Sequence, residues 1–180
     1  MNSFEFVFTL IGLVLGLSLV EVLSGLTRAF KAKSEIRIGW LTPMLGLWVI
    51  AHVASYWGVF WVIRDLLPGV WQTLGAGVLI TSGYYLAASM VFPNDIERYP
   101  DLDTYYWQHK RQVIGIIFLC TIAFQAFGLS LGRVWSPTAM INNLAVFAGM
   151  AVLWWVPGRI LNLAGLTVLL GMMGRIFLQP

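Results

Sequence analysis

Residues 4–27 read FEFVFTLIGLVLGLSLVEVLSGLT, an apolar run whose charges are Glu5 and Glu21. A helix over this stretch would be about 36 Å long at ~1.5 Å per residue, enough to cross a hydrocarbon slab of ~30 Å. Backbone groups in lipid have to be satisfied within the segment, and no alternating pattern of barrel strands occurs, so the run reads as a membrane-spanning helix. Five similar runs follow, at about 40–63, 70–92, 113–132, 139–156 and 160–178. The expected fold is therefore an all-α integral membrane protein, with six transmembrane helices in one compact bundle and a single domain over 1–180.

Composition agrees. The 180 residues are 59% hydrophobic and 11% charged, against roughly 45–50% and about 25% in soluble domains. Cys120 is the single cysteine, which excludes a disulfide scaffold. The opening Met1-Asn2-Ser3-Phe4-Glu5 lacks the positive region of a signal peptide, so the first span is expected to remain in the mature chain.

Basic residues set the expected orientation. Arg28, Lys31, Lys33, Arg37, Arg98, Lys110, Arg111 and Arg159 fall in the first, third and fifth connections, whereas Arg64, Arg133 and Arg175 fall on the other side. This places the longer loops, about 28–39 and 93–112, in the cytoplasm and both termini on the extracytoplasmic side of a cell inner membrane. The net charge of +3 then reflects topology and contact with lipid headgroups; no concentrated basic face suggests nucleic acid. Trp40, Trp61, Trp71, Trp107, Trp135, Trp154 and Trp155 fall at span ends, as an interfacial belt requires. Trp48, Tyr56, Tyr84 and Tyr85 fall deep, where an indole N–H or phenol seeks a partner.

Groups at bilayer depth carry the functional expectation, because a charge there costs at least ~2.5 kcal/mol and faces the bundle interior or water. Glu21 lies about 10 Å inside the Arg28 end of the first span and shares a helical spacing with Ser18, Gly25 and Arg28. His52 stands mid-span in a stripe with Trp48 and Tyr56, Ser55 alongside. Residue counting puts Glu21 level with Tyr84, Tyr85 and Cys120, and His52 level with Thr81, Ser82 and Gln125. The reading is a proton- or cation-linked transmembrane pathway centred on Glu21, with His52, Tyr84, Tyr85, Ser82 and Gln125 as relay or orienting groups. Competing readings are a structural acid and a neutral histidine that merely join helices, in a non-catalytic subunit or assembly factor of a larger membrane complex, or a carrier or sensor for lipids or hydrophobic small molecules.

No catalytic motif occurs, and Ser55 or Ser82 with His52 and Glu21 is mismatched in depth, so no enzyme is expected. Neither a metal nor a cofactor is expected: His109 is at the surface, leaving His52 without a second axial histidine, and Cys120 stands alone. Asp95, Glu97, Asp101 and Asp103 read as a solvated acidic loop, with Asp103 or Thr104 capping the helix into the fourth span. The expected partners are the lipid bilayer and further copies or a larger membrane complex.

Gly12-xxx-Gly16 and Gly128-xxx-Gly132 have the small-residue spacing that lets helices approach, as do Gly83-xxx-Ala87 and Ala145-xxx-Gly149. Residues 16–24 also resemble 128–136, which raises a three-plus-three inverted repeat.

Overall fold

A computed structural model describes residues 3–67, 70–134 and 136–177. Six helices make up nearly all of it: α1 Ser3–Lys31, α2 Leu41–Val62, α3 Val70–Ser89, α4 Leu102–Ser130, α5 Pro137–Trp155 and α6 Arg159–Phe177. Four of them, α1, α2, α4 and α5, are long and apolar enough to cross a membrane. Over the described residues α3, which carries Gln72, Thr73, Thr81 and Ser82, and α6, which carries Arg159, Asn162 and Arg175, are not among them. The architecture is a helical bundle of membrane character. Met1, Asn2 and Trp135, named in the sequence analysis, and the last residue of the expected span 160–178 lie outside the described residues.

Helix ends are chemically marked. Pro137 occupies the first turn of α5, where its missing N–H costs nothing, and the Ser136 hydroxyl accepts from Ala139 N–H at 3.2 Å. Asp101 caps α4, accepting from Thr104 N–H at 2.7 Å and from the Thr104 hydroxyl at 3.1 Å. Residues 102–112 are therefore helix rather than loop, and the cap is Asp101 in place of the expected Asp103 or Thr104. At the far end of α4, Arg133 N–H bonds Gly128 O and Gly132 N–H bonds Leu129 O, with Gly132 at φ 78°. That is a Schellman stop, which needs a residue in the left-handed region.

Neighbouring helices close a ring in the order α1, α3, α4, α5, α6, α2, with α2 also touching α4. Helix α2 packs on α1, α4 and α6 with one broad face, which buries Leu41, Leu45, Trp48, His52, Tyr56 and Phe60 at spacings of three and four, while Leu47, Trp61 and Val62 on the other side stay exposed. Helix α1 buries Val7, Ile11, Leu15, Ser18, Val22 and Ala29, a spacing of three and four that forms one seam. The seam runs mainly along α3.

Close approach depends on glycines other than most of those expected. A methyl at Gly25 would lie 2.6 Å from Phe92 Cβ, and one at Gly46 would lie 3.1 Å from the same ring, so Phe92 wedges between α1 and α2. Gly77 receives Ile11, Gly83 receives Cys120, Gly115 receives Trp154 and Gly149 receives Leu169. Of the four glycines in the two leading motifs, Gly12 meets Trp57 at 3.2 Å, while Gly16 has no heavy atom within 4 Å. Gly128 and Gly132 serve the α4 stop instead of a helix contact. The internal similarity is one of letters alone: residues 16–24 lie inside α1, whereas 128–134 cover a helix end and a turn. Neighbours do not repeat either, since α1 runs along α3 but α6 runs along α2 and α5.

Candidate functional site

One end of the bundle gathers the connections 32–40, 90–101 and 156–158. Leu102 N–H bonds Arg37 O at 3.1 Å, the Thr42 hydroxyl bonds Leu102 O at 2.6 Å, and the Tyr105 hydroxyl bonds Met90 O at 3.1 Å. Asp103 sits at the start of α2. Its Oδ1 accepts from Leu41 N–H at 3.1 Å and its Oδ2 lies 3.3 Å from Arg159 Nη2, a carboxylate on the positive end of one helix and beside the first residue of another. Gly39, at φ 66°, leaves no room for a side chain against that carboxylate.

Lys110 is the buried cation of this end, 4% exposed. Its Nζ donates at 2.9 Å to Leu153 O, Val156 O and Asn162 Oδ1, and lies 4.6 Å from the centroid of Trp107. The ammonium thus occupies the carbonyl end of α5, where the helix dipole favours a cation. Asn162, fully buried, also accepts from the Tyr106 hydroxyl at 2.7 Å and donates to Val156 O and Gly158 O. Every polar atom there is matched, so the cluster joins helices and leaves nothing for a ligand. Asp95 and Glu97 line a separate, open groove with Arg28, Lys31, Glu35 and Arg98. Because that groove mixes both signs of charge and Asp101 and Asp103 are engaged as caps, the acidic loop does not assemble. No group of three His, Cys, Asp or Glu residues suited to a metal occurs among the described residues.

The middle of the bundle is different. Between α2, α3, α4, α5 and α6 lies a cavity of about 90 Å³, room for roughly three waters at about 30 Å³ each. His52, Ser55 and Tyr56 reach it from α2, Tyr84 from α3, Thr121 and Gln125 from α4, and Asn142 and Asn143 from α5; Val59, Phe124, Val146, Phe147 and Met173 supply apolar wall. His52 Nε2 is 3.1 Å from Thr121 Oγ1, the Tyr84 hydroxyl is 3.4 Å from the same atom, and Tyr56 packs on Phe124 at 4.2 Å between ring centroids. His52 Nδ1, the Tyr56 hydroxyl and Gln125 Oε1 are buried and have no hydrogen-bond partner among the described residues; the same holds for Trp48 Nε1, on the ring beside His52. A buried polar atom left unmade costs about 1–3 kcal/mol. Three of the residues that line the cavity, His52 and Tyr56 from α2 and Gln125 from α4, carry one such atom each.

Not all of the sequence-named groups meet there. His52, Tyr84 and Gln125 do. Tyr85 is 41% exposed and Ser82 is exposed, both on the outward face of α3. Glu21 is half-buried on α1, makes no hydrogen bond or ion pair with the described residues, and is absent from the cavity wall. Residue counting had set His52 level with Thr81 and Ser82, yet its partners are Tyr84 and Thr121. From the Thr42–Leu102 contact to the His52–Thr121 contact is about 15 Å along α2 but about 28 Å along α4, so the two helices do not advance in step and residue counting misplaces their register. The sequence reading missed Thr121, whose i−4 bond to Ile117 O resembles that of any helical threonine. It also counted Lys110 among the basic residues that set the orientation and did not single out Asn162.

Comparison with known proteins finds no matching family model, no matching curated protein and no matching solved structure.

Proposed function

We propose that this protein provides a proton- or cation-linked step across a membrane, and that its polar centre is the cavity beside His52. The observation that carries the reading is that three residues lining one cavity of an apolar bundle, His52, Tyr56 and Gln125, each hold a buried polar atom with no partner among the described residues. In hydrocarbon such groups are retained where they face water or a permeating species. In this reading all six helices span, both termini lie on the extracytoplasmic side of a cell inner membrane, and the basic loop end faces the cytoplasm. Gly16, open on α1, is available to a second copy of the chain. Glu21 is a separate carboxyl, outside the step.

Flux in proteoliposomes tests this. His52→Ala and Gln125→Leu are expected to lower proton or cation flux at least tenfold, and Glu21→Gln to leave it near wild type. Undiminished flux in the first two overturns the reading. Loss in Glu21→Gln alone would move the path to α1 and overturn it equally. A chain without flux that co-purifies with a stoichiometric membrane partner would point to the subunit reading.

A further inference from the structure

The hydroxyl of Thr121 is fully used, and its use fixes the state of His52. A hydroxyl has one proton to give and two lone pairs to receive with. Thr121 Oγ1 lies 2.7 Å from Ile117 O, one turn back on α4. Two oxygens that close need a proton between them, and a carbonyl has none to offer, so the Thr121 proton is spent there. In its two other contacts Thr121 Oγ1 therefore accepts. The donors are His52 Nε2 at 3.1 Å and, in a longer contact at 3.4 Å, the Tyr84 hydroxyl. This division of protons and lone pairs is internal to the protein and does not depend on what fills the cavity.

A neutral imidazole that donates from Nε2 carries its lone pair on Nδ1. Nδ1 is then the one ring atom able to take up a proton, and the Nε2 side is closed for as long as Thr121 keeps Ile117 O. Nor does Tyr84 stand in series with His52. Both donate to the same oxygen, whose own proton goes to a carbonyl that cannot pass it on. The branch through Tyr84, expected from the sequence as a relay, ends at Thr121.

We infer that Thr121 is a positioning residue, which holds His52 as the Nε2–H tautomer and makes Nδ1 the working atom of the ring. Because the bond to Ile117 O lies within one turn of α4, the acceptor that His52 meets is as fixed as the helix itself. The inference rests on the proposed role of the cavity and gives one of its residues a task that neither charge nor motif announces.

The test uses the full chain in lipid nanodiscs with ¹⁵N-labelled histidine, His109→Gln serving to assign the His52 signals. In the wild type the proton is expected on Nε2. Thr121→Ser keeps the hydroxyl and is expected to keep that tautomer. Thr121→Val has nearly the same shape but no acceptor, and is expected to raise the ratio of Nδ1–H to Nε2–H about fivefold, the loss of one hydrogen bond. Tyr84→Phe removes a donor and leaves the acceptor, so its ratio should match the wild type. Flux in proteoliposomes is expected to fall in Thr121→Val in step with the share of chains left as Nε2–H, and to return in Thr121→Ser. A proton on Nδ1 in the wild type, an unmoved ratio in Thr121→Val, or undiminished flux in a Thr121→Val chain whose ratio has moved each overturns the inference. If Thr121→Val does not fold, Thr121→Ala supplies the same comparison. Failures of the two proposals separate: a wrong tautomer in a chain with full flux removes this inference alone, whereas an Nε2–H tautomer that depends on Thr121 in a chain without flux removes the transport reading alone.

Discussion

The ammonium of Lys110 donates at 2.9 Å to Oδ1 of Asn162, 52 residues further along the chain, and no carboxylate takes part. A cation at 4% exposure is satisfied here by three neutral acceptors and an indole face. The contact ties α4 to the end of α5 and the start of α6, and through the Asp103–Arg159 pair that junction is held to the start of α2.

Removing Lys110 should therefore loosen three helices at once. Lys110→Met keeps most of the stem but leaves the carbonyl of Leu153 without its side-chain donor and that of Val156 with Asn162 alone. The expected loss is about 2–3 kcal/mol, read as the midpoint of denaturant unfolding in micelles. Lys31→Met, at an exposed site on the same end, should change that midpoint little. Tyr106→Phe alone should cost about 1 kcal/mol. Since Tyr106 and Lys110 share Asn162 Oδ1, the double variant should fall short of the sum.

Gly39 makes a second prediction at this end. At φ 66° an alanine enters the left-handed region at a cost of about 1–2 kcal/mol, and its methyl meets the Asp103 carboxylate that caps α2. Gly39→Ala is expected to destabilise more than Asp103→Ala, which forfeits the cap alone at about 1 kcal/mol. Equal losses in the two variants would contradict the contact.

How far the sequence could foresee this structure depends on the kind of information required. The positions of the six helices were legible because hydrophobic length and punctuation by Gly and Pro are local properties. Trp40, Trp61, Trp71 and Trp155 are exposed at helix ends as the belt pattern implied, while Trp48 is buried in the centre. The start of α4 was readable too, since Leu102, Tyr105, Tyr106 and Val113 are buried at helical spacing, but the charges among them suggested a loop. Register between helices was not legible. Counting depths assumes parallel axes; Gln125 does line the cavity with His52, but Thr81 and Ser82 do not, and Thr121 and Tyr84 stand in their place. Nor could a spacing of glycines tell a packing face from a helix stop, because Gly128 and Gly132 satisfy both patterns and only the backbone angle of Gly132 decides between them. Glu21 drew attention by its charge, whereas the neutral atoms that lack partners became visible only once the neighbours of each were placed.

Cavity residues should show a trade between stability and activity. The Tyr56 hydroxyl is buried without a partner, so Tyr56→Phe removes a penalty and keeps the ring against Phe124. Stability is expected to rise by about 1 kcal/mol while flux falls. Residues held for packing behave in the opposite sense, losing stability first. A Tyr56→Phe variant less stable than wild type would show that the hydroxyl has a donor or acceptor of its own.

The last prediction separates the two kinds of glycine on α1. Gly16 has open space where its side chain would be, so Gly16→Ala in an isolated chain should stabilise the helix by about 0.5–1 kcal/mol through backbone entropy alone. Gly25→Ala gains the same entropy but drives a methyl to 2.6 Å from the Phe92 ring, and overpacking of that kind costs about 1–3 kcal/mol. The net sign should reverse between two substitutions of identical chemistry nine residues apart on one helix. Thermal unfolding of both variants in micelles checks this directly, and size measurement in the same detergent adds a second readout. If Gly16→Ala lowers stability and also breaks an oligomer into single chains, Gly16 is covered by a second copy; if it lowers stability in a chain that is already single, the open environment assigned to that position is wrong.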